Sequence, residues 1–437
     1  MVSLPDERRS EIESLLAEWL SDHRIPGAAL AVVDGDELAY SEGFGARNLE
    51  ENAPATPETL FGVGSCTKSF TAAAIMQLVE RGELDVGDAT DQYVLDLAGV
   101  PGEPITIREL LTHTSGMPSD GSAGPLITRP LGMGHIEVPL SSGADFRRHV
   151  EGSLGRRVTD REAFFYYNSG YTVLGEIVAE VSGRSYAEYV SEHVLDPLGM
   201  DRSTFSREAF RAEEDRMTPY VKQEGDSTES GFPFDPLIHA PGGLVSSVSE
   251  MANYLRMYVG NGSFGGETVL SPESVGEMTT PVSTYGRYFD GGEKAYGYGL
   301  MVEEFLGDRL IGHGGSIAVS NAWFGYLEEA GLGVALACTT GPETHPMVVG
   351  PAVLAILRGA DPEEVVPHYR LVSALERASG EYGDYRGIGR TTVERVEDDL
   401  LVCSTTMGSG IEREARFEFG DGGTDLFFER ARLSKSE

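Results

Sequence analysis

A hydroxyl and a primary amine stand three residues apart in Ser65-Cys66-Thr67-Lys68, at the head of a run whose apolar residues Phe70, Ala73, Ala74, Met76, Leu78 and Val79 recur at helical spacing. On a helix, side chains at i and i+3 are neighbours, so the two groups can share a proton. A serine hydroxyl becomes a useful nucleophile only when a base removes its proton, and a lysine held neutral by its surroundings can do that. The helix start adds a second benefit, because the free N–H of Ser65 points where an oxyanion would form. Cys66 is intrinsically the stronger nucleophile, but on a helix it projects away from Lys68 and no His stands near it in sequence, so it reads as a buried structural thiol. Ser-x-x-Lys pairs also decorate plain helix faces, and this one carries weight only if other stretches agree with it.

Two stretches agree. Tyr166-Tyr167-Asn168-Ser169-Gly170-Tyr171 places a phenol two residues before an amide just ahead of a helix, and Ile311-Gly312-His313-Gly314-Gly315-Ser316 places an imidazole on a late strand. Of the two tyrosines, only Tyr166 has the two-residue offset to Asn168. His113, within Leu110-Leu111-Thr112-His113-Thr114-Ser115-Gly116-Met117-Pro118, is expected to cap or pack a helix end rather than act as a base. Gly260-Asn261-Gly262-Ser263-Phe264-Gly265 has the letters of a dinucleotide fingerprint but follows a helix, so it reads as a C-cap and turn. The chain has no Walker loop, no H-E-x-x-H, no closely spaced pair of His and no G-x-S-x-G elbow. No metal and no cofactor are expected.

These groups need a scaffold. Ile12, Leu15, Leu16, Trp19 and Leu20 predict an amphipathic opening helix over residues 6–22, and β-rich runs 28–33 and 37–43 flank the turn Asp34-Gly35-Asp36 as a hairpin. The helix begun at Ser65 runs to residue 81 and stops at Gly82. Between residues 85 and 285 the clearest elements are helices, at 107–111, 171–181, 186–194 and 248–258. Two Gly, Ser and Pro-rich stretches, 119–142 and 223–243, read as long functional loops. Strands resume at 298–302, 309–311, 321–326 and 332–339, followed by a helix over 347–357. Strands at both ends enclosing a helical block imply an α/β fold, one sheet built from both ends of the chain with an all-helical subdomain inserted at about 70–285. Residues 361–364 read as a linker. Short β runs at 391–396, 400–404, 414–419 and 425–429 then suggest a small antiparallel accessory domain over 366–437, following a main domain of residues 1–360.

Composition narrows the function. The chain has 437 residues, about 40% hydrophobic and about 24% charged, as for a folded globular protein. Its 70 acidic residues against 34 basic ones give a formal charge of −36, which excludes nucleic acid and anionic membranes as expected partners. Only four of the basic residues, Lys68, Lys222, Lys294 and Lys435, are lysines, and this acid-rich, lysine-poor balance resembles proteins of salt-loving microbes. Cys66, Cys338 and Cys403 are too few and too far apart for a disulfide framework, so a reducing cytoplasm is expected. The first nine residues lack the apolar stretch of a secretory signal, and residues 346–357 are too short to span a bilayer, so a soluble intracellular protein is expected.

With Ser65-x-x-Lys68, Tyr166-x-Asn168 and His313-Gly314-Gly315 in this order, the chain resembles the serine β-lactamase and penicillin-binding superfamily, in its class C-like branch with related esterases and D-amino-acid peptidases. The resemblance covers roughly residues 10–358 and includes 110–118 and Gly242-Gly243-Leu244-Val245-Ser246-Ser247. It implies that Ser65 is the acylated nucleophile, Lys68 its proton partner, and Tyr166, as phenolate or as a relay with Lys68, the group that serves the leaving group and then water. It implies further that Asn168 binds the acyl amide, that His313 and Gly315 line the opposite wall, and that the backbone N–H groups of Ser65 and Ser316 form the oxyanion hole. His313 stands where β-lactamases carry a permanent ammonium, which favours a small ester, amide or short peptide over β-lactam or D-Ala-D-Ala substrates. Those substrates, and a non-catalytic penicillin-recognising protein, are the alternatives. Relatives suggest a lipocalin-like character for the C-terminal domain, whose expected role is to close the cleft or to hold subunits together in a homo-oligomer.

Overall fold

The computed structural model describes residues 4–94, 97–100, 102–118, 123–132, 140, 142–153, 163–223, 226–288, 291–383, 390–397, 400–407, 411–416, 427–428, 431–432 and 434–435. Two compact units are present, one of Met1–Gly286 with Glu293–Leu354, the other of Arg287–Gly292 with Ala355–Glu437.

In the first unit a nine-stranded sheet runs in the spatial order Ser283–Arg287, Glu293–Tyr296, Met301–Phe305, Asp308–Ser316, Ser320–Leu327, Leu332–Thr339, Gly27–Asp34, Glu37–Asn48, Ala53–Pro54. The N-terminal hairpin joins the C-terminal strands antiparallel, with Ala31 opposite Ala335 and Ser41. Its turn bends at Gly35, whose φ of +61° is the left-handed conformation glycine adopts without strain. Ser320–Leu327 is buried along its whole length, since successive side chains point to opposite faces and both faces are covered. Phe324 packs against Tyr254 of the helix Val248–Val259, while Trp323 lies on the other face beneath Gly350 of the helix Pro346–Arg358. The opening helix Asp6–Asp22 buries Ile12, Leu16 and Trp19, and the Trp19 indole N–H donates to the Thr344 carbonyl at 2.9 Å.

The helix that positions the site is Thr67–Glu80, entered through a tight turn at Gly64–Cys66. Every residue from Thr67 to Leu78 is buried, because the helical block wraps it on all sides. Most of its polar side chains find partners inside the fold, Gln77 Oε1 being an exception among the described residues. Ser69 donates to the Cys66 carbonyl, Thr71 to the Ala240 carbonyl, and Gln77 to the carbonyls of His193 and Val269.

Several expectations need revision. The strand expected at 298–302 begins at Met301, because Gly299 adopts φ +69° and breaks the extended run. The strand expected at 309–311 extends over Asp308–Ser316, its three consecutive pairings from His313 to Gly315 with Phe324, Trp323 and Ala322 outweighing the weak β-propensity of glycine. Two sheet strands, Ser283–Arg287 and Glu293–Tyr296, were not expected. The stretch read as a loop over 223–243 contains the strand Asp226–Glu229, a turn at Pro236–Ile238 and a short helix His239–Gly242. Of the stretch 119–142, the described part holds the helix Ala123–Thr128 and the turn Arg129–Leu131, and residues 119–122, 133–139 and 141 lie outside the described residues. The fingerprint-like glycines do form a turn, Gly260 ending a helix and Ser263–Phe264 pairing with Glu267–Thr268.

In the second unit the expected linker is a helix, Pro362–Val365, capped by the Asp361 carboxylate on the Glu363 N–H at 3.0 Å. A further helix, Pro367–Ala378, precedes an antiparallel sheet ordered Ile411–Arg416, Leu400–Met407, Arg390–Glu397, Gly380–Gly383, Ser434–Lys435. Residues 417–419 and most of the run 425–429 lie outside the described residues.

Candidate active site

Gly64 and Gly315 allow the turn that carries Ser65 and the strand Asp308–Ser316 to touch backbone to backbone. Gly64 sits at φ +52°, and a Cβ there would lie 2.5 Å from the Ser316 nitrogen. A Cβ on Gly315 would lie 2.0 Å from the Val63 carbonyl oxygen and 2.7 Å from the Ser65 nitrogen. The Cys66 thiol seals the joint by donating to the His313 carbonyl at 3.2 Å, is fully buried, and has its pKa pushed up by burial, as expected of a structural cysteine. The contact thus sets the backbones of Ser65 and Ser316 side by side.

Lys68 lies one turn beyond Ser65, with no exposed surface. Its Nζ is 3.1 Å from Ser65 Oγ, 2.8 Å from Asn168 Oδ1 and 2.6 Å from the Pro241 carbonyl oxygen. The same amine sits over the Tyr166 ring, 4.8 Å from its centroid. Burial drives the Lys68 pKa well below the usual lysine value, because the ammonium form loses its hydration. Asn168 opens the helix Asn168–Ser182, and Pro241 belongs to the helix His239–Gly242, so two separate elements clamp the amine from opposite sides of the serine.

Burial pushes the Tyr166 pKa above the ordinary phenol value, and the nearby Ser65 hydroxyl acts in the opposite sense. Tyr167 is buried in the hydrophobic core instead. His313 is 1% exposed and shares its strand face with Gly315. Its Nδ1 donates to the Gly314 carbonyl at 2.6 Å, which leaves Nε2 bare to accept the Tyr296 hydroxyl at 2.9 Å. Burial first, and Lys68 second, push its pKa down to about 3, so this imidazole is neutral at pH 7. His345 accepts the Met347 N–H on Nδ1 and donates from Nε2 to the Gly315 carbonyl at 3.2 Å, which orients the peptide that carries the Ser316 N–H.

Ser65, Lys68 and Asn168 are therefore joined by hydrogen bonds with the Tyr166 ring beside Lys68, while Gly315 and Ser316 flank Ser65 and His313 shares the strand face of Gly315. Pairing with Met301–Phe305 ends at Gly312, so residues 313–316 pair on one side only, with Ser320–Leu327. Sequence reasoning missed the Pro241 carbonyl, Tyr296 and His345. A backbone carbonyl leaves no mark in a sequence, and His345 stands alone in a loop. Tyr296, at the end of the strand Glu293–Tyr296 and followed by Gly297 and Gly299, offered only the signal of an aromatic among glycines. His113 was expected at a helix end and does follow the helix Ile107–Leu111, but it also packs on Tyr166, with ring centroids 4.2 Å apart. Among the described residues there is no cluster of ligands able to hold a metal and no helix long and apolar enough to cross a membrane.

The beta-lactamase family model matches residues 10–357. "Protein flp" of Staphylococcus aureus (strain MW2) is 30% identical over 216 residues, 48% of this chain and 41% of that protein, so the match spans about two fifths of that relative's length. "Uncharacterized protein MT1414" of Mycobacterium tuberculosis is 30% identical over 283 residues, 59% of this chain and 68% of that protein. Among solved structures, the octameric penicillin-binding protein homologue from Pyrococcus abyssi is 34% identical with a TM-score of 0.81, covering 97% of this chain and 99% of that one. A D-amino acid amidase from Ochrobactrum anthropi, 22% identical with a TM-score of 0.65 over 81% of this chain and 99% of its own, shares the fold. On the family match over residues 10–357, this chain belongs to the beta-lactamase family.

Proposed function

We propose that the chain is a serine hydrolase that cleaves a small ester, amide or short peptide through an acyl-enzyme on Ser65. The observation that carries this reading is the coordination of Lys68. A neutral amine has two N–H bonds and one lone pair. The Pro241 carbonyl and Asn168 Oδ1, acceptors only, take the two N–H bonds, and the lone pair is left for the Ser65 hydroxyl at 3.1 Å. Burial lowers the Lys68 pKa and raises that of Tyr166, so both shifts favour the amine–phenol pair over an ammonium–phenolate pair.

In this mechanism Ser65 gives its proton to Lys68 as Oγ attacks the acyl carbon, and the N–H groups of Ser65 and Ser316 hold the oxyanion. As the tetrahedral intermediate collapses, Tyr166 protonates the leaving group and is reprotonated from Lys68. Water then attacks the ester with the same pair as base. Asn168 binds the acyl amide and Gly315 keeps the strand close to the nucleophile. His313, neutral and bonded to Tyr296, supplies no cation for a substrate carboxylate, which supports an uncharged substrate over a β-lactam or D-Ala-D-Ala peptide. The octameric homologue supports a homo-oligomeric assembly for this chain as well, and the composition supports a soluble cytoplasmic enzyme.

The test is intact-mass measurement after incubation with a fluorophosphonate and, separately, a penicillin. It is followed by turnover of p-nitrophenyl esters, D-alanyl amides and nitrocefin by wild type and Ser65→Ala. An adduct on Ser65 and esterase activity exceeding β-lactamase activity are expected. No adduct with either reagent would instead support a non-catalytic binding protein, and faster nitrocefin than ester turnover would overturn the argument from His313.

A further inference from the structure

His113 touches no reacting atom, yet the backbone around Tyr166 is fastened to it twice. The Phe165 N–H donates to the His113 carbonyl at 2.7 Å, and the Tyr167 N–H donates to His113 Nδ1 at 3.1 Å. The peptide units on both sides of Tyr166 are thus held by one residue. Bringing a carbonyl and a side-chain nitrogen to bear on one extended segment requires a bend, and His113 makes it in the left-handed region at φ +57°, a conformation few non-glycine residues adopt. The residue's own loop is secured in turn. The Tyr171 hydroxyl donates to the Leu111 carbonyl at 2.7 Å and the Ser283 hydroxyl to the Thr112 carbonyl at 3.0 Å.

The imidazole ring then fills the space beneath the phenol. It is fully buried, lies 4.2 Å from the Tyr166 ring at 36°, and also meets Phe164, Tyr171 and Tyr296 at 5.1 to 5.4 Å. Because Nδ1 accepts a backbone N–H, the ring proton sits on Nε2, which has no hydrogen-bond partner among the described residues. Burial, Lys68 and His313 all oppose a second proton, so the ring stays neutral next to Tyr166. A neutral acceptor at Nδ1 is what the Tyr167 N–H requires, since a protonated ring would present a donor to a donor.

We infer that His113 is the positioning residue for Tyr166, holding the peptides on either side of it and the face of its ring so that the phenol keeps its place beside Ser65 and Lys68. The inference rests on the serine-hydrolase reading for its catalytic consequence, but not for the clamp itself. Removing the side chain takes the Nδ1 acceptor away from the Tyr167 N–H and opens a void under the ring, and a displacement of the phenol by about an ångström slows acylation about 10²-fold. Asparagine is the conservative replacement, because it tolerates the left-handed backbone and its Oδ1 reaches the position of Nδ1. Glutamine has similar bulk but carries its oxygen one bond further out.

The experiment compares wild type with His113→Ala, His113→Asn and His113→Gln by two readouts. One is kcat and KM on a D-alanyl amide, whose leaving group takes its proton from Tyr166. The other is amide hydrogen exchange over residues 164–168, which needs no activity. The expected result is faster exchange and slower amide hydrolysis in His113→Ala, with kcat reduced far more than KM is changed and both readouts largely restored in His113→Asn. Unchanged exchange in His113→Ala, or faster exchange with wild-type amide hydrolysis, overturns the inference. If the alanine variant does not fold, Asn against Gln decides, and equal loss in both overturns it. A wild-type protein that never labels on Ser65 overturns the hydrolase reading and the catalytic consequence with it, while the exchange comparison still judges the clamp.

Discussion

Gly315→Ala tests the joint that brings the two proposed oxyanion donors, the N–H groups of Ser65 and Ser316, together. The added methyl would lie 2.0 Å from the Val63 oxygen, 2.7 Å from the Ser65 nitrogen and 3.0 Å from the Cys66 nitrogen, where ordinary contact begins at 3.4 Å. All three neighbours are backbone, so no rotamer can turn away, and the strand must part from the nucleophile turn by more than an ångström. That movement carries the Ser316 N–H away from the Ser65 N–H. Loss of one oxyanion donor costs about 10²–10³ in rate, or about 2.7–4 kcal/mol of transition-state stabilisation. The assay is kcat/KM on a p-nitrophenyl ester and the rate of fluorophosphonate labelling, with circular dichroism to establish that the fold is intact. Gly276→Ala is the control, in the helix Pro272–Thr279 with nothing within 4 Å of the new methyl; it should leave the rates unchanged and add roughly 0.5–1 kcal/mol of stability. A folded Gly315→Ala enzyme that labels at the wild-type rate would refute the reasoning, since the oxyanion site would then not depend on this approach.

Four further outcomes are expected. Lys68→Met should slow labelling of Ser65 by at least about 10²-fold, the lower end of general-base effects, and a smaller loss would move the base elsewhere. Tyr166→Phe should slow hydrolysis of a D-alanyl amide more than of a p-nitrophenyl ester, whose leaving group departs without a proton; equal losses would remove Tyr166 from leaving-group protonation. His313 is held at about 3 against about 6.5 when unfolded, so the unfolded state binds the extra proton as pH falls below 6.5 and native stability is lost progressively from there to pH 3. Urea unfolding at pH 7 and pH 5 should show wild type losing about 2 kcal/mol more than His313→Gln, and equal losses would mean the imidazole is not held neutral. Finally, the preference for a neutral ester over its carboxylate-bearing analogue should shrink with added salt and level off above unity, and a ratio that reaches one at high salt would leave His313 without a role in selectivity.

The residues that meet at Ser65 were legible because each lies in a short side-chain motif with fixed spacing. Lys68 is three residues along the helix from Ser65, and Tyr166 is two residues before Asn168 at a helix start. What holds Lys68 from the other side was not legible, because the Pro241 group involved is a carbonyl and residues 223–243 look like loop by composition. The same composition bias hid the strand through Gly312, Gly314 and Gly315, whose pairing partners Gly325, Trp323 and Ala322 supply what glycine's own propensity does not. At 361–364 the signal was present but read as a linker. Asp361 at the N-cap followed by Pro362 is a helix-start signature, and the structure begins a helix there.

The acidic surface and the site act on charge at different ranges. A formal charge of −36 repels anions over about 10 Å at 0.1 M salt but only about 3 Å at 1 M, so its part in rejecting a carboxylate fades as salt rises. The local part does not fade in the same way. Around Ser65 the basic groups are buried, and desolvation is the first cause that keeps Lys68, His113 and His313 uncharged. A charge on Lys68 would in addition oppose protonation of both histidines. On the proposed hydrolase reading, an amine kept neutral to take the Ser65 proton leaves no cation to hold an anionic substrate, and that follows from the packing rather than from the surface.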